Sequence, residues 1–445
     1  MTLHYVISDL HLGMGRVADQ GWHPLEDFKS DASFKKFLDR LEDDGVDELI
    51  INGDWIDFTQ LEPLAYRPGI LSADGHNLGW TEDESLEKLK ACISAHKGFF
   101  DDLRSFLRDG KKLTIIMGNH DPDLFWPKVS AEVRSLLRPP HAEQLEMVRT
   151  YVRRGTAHIE HGNQHCSPEN KFFNPNNVFH DDTEGEQRIE LVWGSIFVME
   201  FFNPIEYELP YADNIKTQSR AIWLGIKNGW VNGRMAAKFV KFLWGAGIPW
   251  GSITANVLSV KRRPTDLIRD LTDREIAQDL MGRYVEDDRF REDFNKEIAQ
   301  TSAEEWRAIN AINEKGEHRQ QLVTSDELTP ATEREETATL GAFRDNPEIR
   351  GAESLMSIDV KYIIFGHTHT EIDGAHSDAR LKNYFNTGSW VNSMDLSLRE
   401  NRARLKNISK DDLKDDELFE LRLRAAAIEV GDNRRTHVSL REVEI

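Results

Sequence analysis

The chain has 445 residues with a formal net charge of −21, and 39% of its residues are hydrophobic and 30% charged. That length supports two domains, or one large domain with an insertion, around a sizeable core. The acidic balance disfavours a general affinity for nucleic acid, which needs a basic surface, and Cys92 and Cys166, the only cysteines, allow neither a disulfide framework nor a cysteine-rich zinc site.

The N-terminus, MTLHYVISDLHLG, lacks a basic region leading into a long apolar stretch, so no signal peptide is expected and the cytoplasm is the expected location. No apolar run reaches ~18 residues, so no conventional membrane-spanning helix is expected either. HYVIS (4–8) predicts a strand that runs into the polar DLHLG. Phe34, Phe37, Leu38 and Leu41 predict a helix over 31–44. ELIIN (48–52) predicts a second strand, entering GDWID, and residues 83–109 a long helix with Leu86, Leu89, Phe99, Leu103 and Leu107 among its apolar positions. KLTIIM (112–117) predicts a third strand, entering GNHD. Strands alternating with helices point to α/β architecture. The polar clusters fall just past strand C-termini, where open α/β sheets place their ligand sites.

GTAHIEHGNQH (155–165) repeats the arrangement, followed much later by KYIIFGHTH (361–369) and NYFNTGSW (383–390), and THVSLREVEI (436–445) alternates like a strand. The interval between His165 and His367 is too long for a loop. TDRE (272–275) and SAEE (302–305) resemble capping boxes, and Ile276, Leu280 and Tyr284 share one helix face. Residues 314–338 read as a Glu- and Thr-rich linker and 393–424 as a charged, helical insertion.

The polar clusters are Asp9 and His11; Asp54 and Asp57; Asn119, His120 and Asp121; His161; His367 and His369. Carboxylate, imidazole and amide oxygen suit manganese, iron, nickel or zinc. A pair of metals about 3.5–4 Å apart needs several ligands each and a group shared between them, and the set is large enough. One such cluster alone is more often a turn. Five of them, all following strand-like runs in one chain, are not explained as turns. Residues i and i+2 of an extended segment share a face, so extended backbone would let Asp9 and His11 reach one metal together. Gly53, Gly118 and Gly366 stand before ligands, where a small residue permits a tight turn or close packing.

The ordered blocks DLH (9–11), GDWID (53–57), GNHD (118–121), HGN (161–163) and GHTH (366–369) resemble the calcineurin-like metallophosphoesterase family, and NTGSW (386–390) resembles the segment that follows its last motif. The resemblance covers about 1–170 and 355–392. It implies a four-layer α/β/β/α sandwich with two mixed sheets, made from 1–195 and 351–445, carrying a large, mainly helical insertion at 196–350. It implies two divalent ions, manganese foremost, with iron, zinc or nickel as alternatives. Asp9, His11 and His369 would hold the first ion, Asn119, His161 and His367 the second, and Asp54 both. Water activated by the metals would attack a phosphoester or pyrophosphate bond. His120, paired with Asp57, would act at the leaving group, and Asp121 would support the loop.

Many relatives have Gly-His after the fourth-block histidine, whereas this chain has Gly162 and Asn163. His165 is therefore a candidate for metal or phosphate contact, with a hydrogen-bonded loop histidine as the competing reading. Protein phosphatases of the family usually carry Arg after the second and third blocks, where this chain has Phe58 and Pro122. A nuclease of the same fold and a non-catalytic binding scaffold are the alternative functions.

From Asn214 to Thr265 there is no acidic residue and nine basic ones: Lys216, Arg220, Lys227, Arg234, Lys238, Lys241, Lys261, Arg262 and Arg263. Trp223, Trp230, Trp244 and Trp250 lie among them. Three readings follow: a helical cap whose cations pair with the acidic body, a lid that brings cations to a phosphate substrate, or peripheral membrane contact through 214–265.

Overall fold

A computed structural model describes residues 1–17, 21–62, 72, 75–166, 170–216, 225, 231–245, 274–300, 347–374, 383–395, 401, 404, 418–433 and 435–443. The chain forms two compact units, one of Met1–Ile196, Asn346–Ser393 and Phe419–Ile445, the other of Phe197–Asp345 and Met394–Leu418. The expected linker at 314–338 and the capping sequence at 302–305 lie outside the described residues, as do 217–224, 226–230 and 246–265 of the basic stretch.

The first unit is a mixed α/β fold with two mixed sheets. The larger sheet has the strand order Thr436–Glu442, Arg424–Val430, Thr2–Ile7, Glu48–Asn52, Lys112–Ile116, Leu145–Val148. Its last four strands run parallel and its first two pair antiparallel. All of ELIIN is buried, as expected of a central parallel strand covered on both faces. The smaller sheet has the order Tyr384–Asn386, Tyr362–Phe365, Ala157–Glu160, Tyr151–Arg154, parallel except for the final hairpin.

Val6, Ile50 and Ile116 of the larger sheet share one apolar core with Ile159, Ile364 and Phe385 of the smaller. Each such fully buried side chain contributes roughly 1.5–3 kcal/mol. This shared core sets the strand ends of both sheets beside each other. Outside the larger sheet, helix Asp31–Asp43 buries the Phe34, Phe37, Leu38 and Leu41 stripe, and Phe34 stacks on Phe99 with ring centroids 4.0 Å apart. On the smaller sheet, Ile349 and Ala352 of helix Pro347–Leu355 pack with Ile363 and Phe365.

Two expectations need correction. Residues 83–109 form two helices, Glu82–Ala95 and Lys97–Arg108, rather than one. The break is at His96, whose buried ring lies between Glu26 (3.1 Å) and Asp31 (3.4 Å), a tertiary demand that local apolar spacing does not encode. The first helix begins with an unforeseen capping box, in which Thr81 and Glu84 satisfy each other's backbone N–H groups. The described parts of 393–424 also include extended pieces: Ser393 bridges to Glu420, and Met394–Asp395 pairs with Ile215–Lys216.

In the second unit, helices Gly233–Gly245 and Asp288–Gln300 pack closely. A Cβ on Gly233 would lie 1.8 Å from the Phe290 carbonyl oxygen, so the helix approach requires glycine. Ala236, Ala237, Phe239 and Val240 are buried, and Arg234 Nε meets Glu297 Oε2 at 2.9 Å. Among the described residues no helix is long and apolar enough to cross a membrane.

Candidate metal centre

Five strands end where the polar clusters begin. Thr2–Ile7 leads to Asp9 and His11, Glu48–Asn52 to Asp54 and Asp57, and Lys112–Ile116 to Asn119 and His120. Ala157–Glu160 of the smaller sheet leads to His161, and Tyr362–Phe365 to His367 and His369. Because these strands are parallel within each sheet, their C-terminal ends deliver the clusters to one edge.

The backbone there is strained. Six described non-glycine residues have positive φ: Asp9 (54°), His11 (50°), Asp54 (49°), Arg138 (45°), His367 (69°) and His369 (55°). Such values are uncommon outside glycine and collect at functional sites. All but Arg138 belong to the expected ligand set. The extended backbone expected for Asp9 and His11 is therefore absent. The reason is lateral bonding: the N–H groups of Leu10 and His11 both donate to the Asp54 carbonyl oxygen, at 2.9 and 3.0 Å, which curls the segment across its neighbour.

The three glycines admit close approach more than turning. A Cβ on Gly118 would lie 2.0 Å from Asp54 Oδ1, one on Gly53 2.3 Å from the His161 ring, and one on Gly366 2.5 Å from Asp9 Oδ2. Only Gly53, with φ +84°, also needs a left-handed turn.

The side chains form adjoining donor groups, Asp9 with His11 and His369, and Asp54 with His161 and His367. Asp9 Oδ1 is 3.3 Å from His369 Nε2. Asp54 Oδ2 is 3.0 Å from His161 Nε2 and 3.8 Å from His11 Nε2. Asn119 Oδ1 is 3.3 Å from His161 Nε2. Hydrogen bonding fixes which nitrogens can bind a cation. His161 Nδ1 donates to the Asn52 carbonyl oxygen at 2.9 Å, so Nε2 is the nitrogen turned toward Asp54 and Asn119. His11 Nδ1 lies 2.8 Å from Asp57 Oδ2, and its Nε2 faces His369 Nε2 at 3.1 Å. Carboxylates, an amide oxygen and imidazole nitrogens that face one another need positive charge among them, whether protons or a divalent ion, and the donor set fits divalent metals.

The electrostatics show the same demand for positive charge. Burial opposes charge on His11 and His161, yet Asp57, Asp54 and Asp9 carry His11 up to about 10, and Asp54 carries His161 up to about 9. Burial likewise works against charge on Asp9 and Asp54, but the surrounding histidines hold both below the ordinary carboxylate range. His367 is pushed down to about 3, by burial and then by His161, which leaves it a neutral donor.

Beside this set, His120 Nδ1 lies 2.9 Å from Asp57 Oδ2. Burial disfavours its imidazolium, but Asp57 and Asp54 outweigh that and raise its pKa. Asp57 is in turn fixed by the Thr59 N–H, which donates to Oδ1 at 2.9 Å. Asp121 accepts from the N–H groups of Gly118 (2.6 Å) and Trp55 (2.8 Å), and burial and then Asp54 push its carboxyl up to about 7. It ties the third-block loop to the second. His165 sits 3.0 Å from Glu160 Oε1 and stacks on Phe365.

Several supporting residues carried no readable sequence signal. Asn170 Nδ2 lies 3.1 Å from His367 Nε2, Ser195 Oγ donates to the Asn119 carbonyl oxygen at 3.2 Å, and buried Glu348 accepts from Asn386 Nδ2 at 2.8 Å. Asn170 follows the HGN block by seven residues but belongs to no motif, Ser195 and Glu348 lie farther from the blocks, and only Asn386, within NTGSW, could have been noticed. In that segment the Trp390 N–H donates to the Asp9 carbonyl oxygen at 3.0 Å, so it braces the first block.

The mixed α/β fold thus gathers carboxylates, imidazoles and an amide at adjoining strand ends, a donor set suited to divalent metals. The family model described as calcineurin-like phosphoesterase matches residues 5–224, and the chain carries a domain of that family there. The match stops before His367 and His369, which the smaller sheet returns to the same edge. No curated protein matches the chain.

Proposed function

We propose that this protein hydrolyses a phosphoester or pyrophosphate bond with the help of two divalent ions. The observation that carries the reading is the position of Asp54, whose Oδ2 faces His161 Nε2 at 3.0 Å and His11 Nε2 at 3.8 Å, between both donor groups. Asp9, His11 and His369 would hold one ion, Asn119, His161 and His367 the other, with Asp54 common to both. Manganese is the first choice, with iron, zinc or nickel as alternatives. When bound, such ions polarise phosphoryl oxygens and lower the pKa of water.

In this reading Asp57 orients His120 through Nδ1, which leaves Nε2 to donate a proton to the leaving-group oxygen. His165, engaged with Glu160 and Phe365, positions the loop after His161 rather than touching substrate. The four-layer α/β/β/α sandwich with a helical insertion at 196–350 belongs to the same proposal. So does helix Gly233–Gly245 as a packed element, because its Phe239 and Val240 are already buried. Flotation with anionic and neutral liposomes tests the membrane alternative, which requires binding to the anionic vesicles.

The deciding experiment is a panel of nucleotide sugars, simple diesters, monoesters and single-stranded DNA with manganese-loaded protein. Turnover that disappears in Asp54→Ala supports the reading. Preference for DNA would make the protein a nuclease of this fold, and metal-bound protein inert on the whole panel would make it a scaffold.

A further inference from the structure

Away from the Asp54 groups, a second constellation of metal-ligating side chains lies in the first unit. His76, His180 and Glu190 each present a ligand atom, and these atoms lie within 4.8 Å of one another. All three residues are largely buried, with side-chain exposures of 9%, 16% and 7%. They come from three separate segments that the backbone already clamps together. The Leu191 N–H donates to the Asn77 carbonyl oxygen at 2.9 Å and the Glu190 N–H to that of Val178 at 2.7 Å. His180 and Ile189 lie in the paired strands Phe179–Asp181 and Gln187–Ile189.

A tight ion pair of imidazolium and carboxylate fits this geometry poorly. His76 Nδ1 is 3.7 Å from Glu190 Oε1, and His180 Nε2 is 3.3 Å from Oε2. Charge-assisted bonds between imidazolium and carboxylate close to about 2.7–2.9 Å. The rings lie face to face, with centroids 4.1 Å apart and an interplanar angle of 17°, so binding one ion in the plane of both requires one imidazole to turn about its Cβ–Cγ bond. The spacing does suit ligands around one ion. A tetrahedral ion with bonds of about 2.1 Å holds its ligand atoms about 3.4 Å apart. The carboxylate is further positioned by the Phe173 N–H, which donates to Oε1 at 2.9 Å, the kind of outer support that metal ligands commonly have.

We propose that His76, His180 and Glu190 form a separate site for one divalent ion of the zinc class. Two neutral imidazoles and one carboxylate give a net charge of −1, and nitrogen and oxygen donors suit zinc better than calcium or magnesium. The ion ties the segment around His76 to the hairpin carrying His180 and to Glu190. From Glu190 the chain runs directly to Ser195, which holds the Asn119 carbonyl oxygen. The site thus braces a wall of the candidate metal centre without belonging to it.

The test uses the full chain with both donor groups of the candidate metal centre disabled by Asp9→Ala, Asp54→Ala and His161→Ala, so that its outcome is independent of the proposed hydrolysis. Loaded with zinc and passed over a desalting column, this protein should retain one equivalent of metal by mass spectrometry. With cobalt it should show the strong visible absorption of a tetrahedral site. Adding His76→Ala with His180→Ala, or Glu190→Gln alone, should remove both signals. Equal metal content with and without these substitutions overturns the site. A measurement that needs no substitution covers the case of a misfolded variant. Diethyl pyrocarbonate labelling of the unaltered chain, read by peptide mass, should find His76 and His180 protected by zinc, and equal labelling with and without zinc overturns the proposal.

Discussion

The backbone N–H of His120 donates to Oδ1 of Asp54 at 2.9 Å, so the carboxylate between the two donor groups also holds the loop that carries His120. Its other oxygen, Oδ2, remains directed at His161 and His11. The two oxygens therefore divide the work: one sets the position of His120 and the other faces imidazoles of both donor groups. A disturbance of Asp54 must reach both.

Gly118→Ala tests this coupling without altering any ligand. The new methyl group would sit 2.0 Å from Asp54 Oδ1, and overpacking of this kind costs about 1–3 kcal/mol. The unfolding midpoint should fall and manganese content after desalting should drop with it. A variant with both unchanged would show that the loop yields freely and that the close approach is dispensable.

Metal removal should destabilise the protein. An ion bound only by the folded state, at a hundred times its dissociation constant, stabilises by about 2.7 kcal/mol. Chelator should lower the unfolding midpoint, and added manganese should restore it. Asp54→Ala should show little response to manganese. An equal manganese response in the variant would remove Asp54 from the ligand set.

His120→Ala separates leaving-group assistance from metal binding. Loss of a general acid typically costs 10²- to 10⁴-fold in rate, so kcat should fall by about that much on an alkyl phosphoester. The loss should be far smaller on a nitrophenyl ester, whose leaving group needs no proton, and metal content should stay at the wild-type value. Equal losses on both substrates would place the role of His120 elsewhere.

Acid stability should depend on Glu48. Burial alone would raise its pKa, but Arg154, His4 and Thr114 hold it at about 2, against an ordinary value of 4.5. Arg154 Nε and His4 Nδ1 lie 2.6 and 2.7 Å from Oε2. A depressed carboxylate stabilises the fold above its unfolded pKa and loses that contribution as pH falls through the folded value. The contribution is about 3 kcal/mol at neutral pH. Glu48→Gln should therefore unfold at a lower temperature than wild type at pH 7, and the gap should shrink between pH 4.5 and 2. A gap independent of pH would mean that the ionised form of Glu48 is not what matters.

Much of the site was legible in the sequence because its ligands lie in short blocks at the ends of apolar strands. DLH, GDWID, GNHD, HGN and GHTH each combine a buried run with donors immediately after it. Local order was less legible where distant groups intervene. His96 splits a helix because Glu26 and Asp31 bracket its ring, and Asp9 and His11 leave extended geometry because the Asp54 carbonyl oxygen binds the neighbouring N–H groups.

The sequence by itself determined which donors exist and that strands carry them, since apolar periodicity and residue type are local properties. Which donors meet is no local property: the family resemblance implied a grouping, and only the tertiary structure sets the side chains beside one another. His369 joins Asp9 and His11 while His367, two residues earlier, joins Asp54 and His161, because left-handed backbone at both histidines turns their side chains apart. His76, His180 and Glu190 gave no signal at all: their spacing follows no motif, and strand pairing and loop closure alone bring them within reach of one ion.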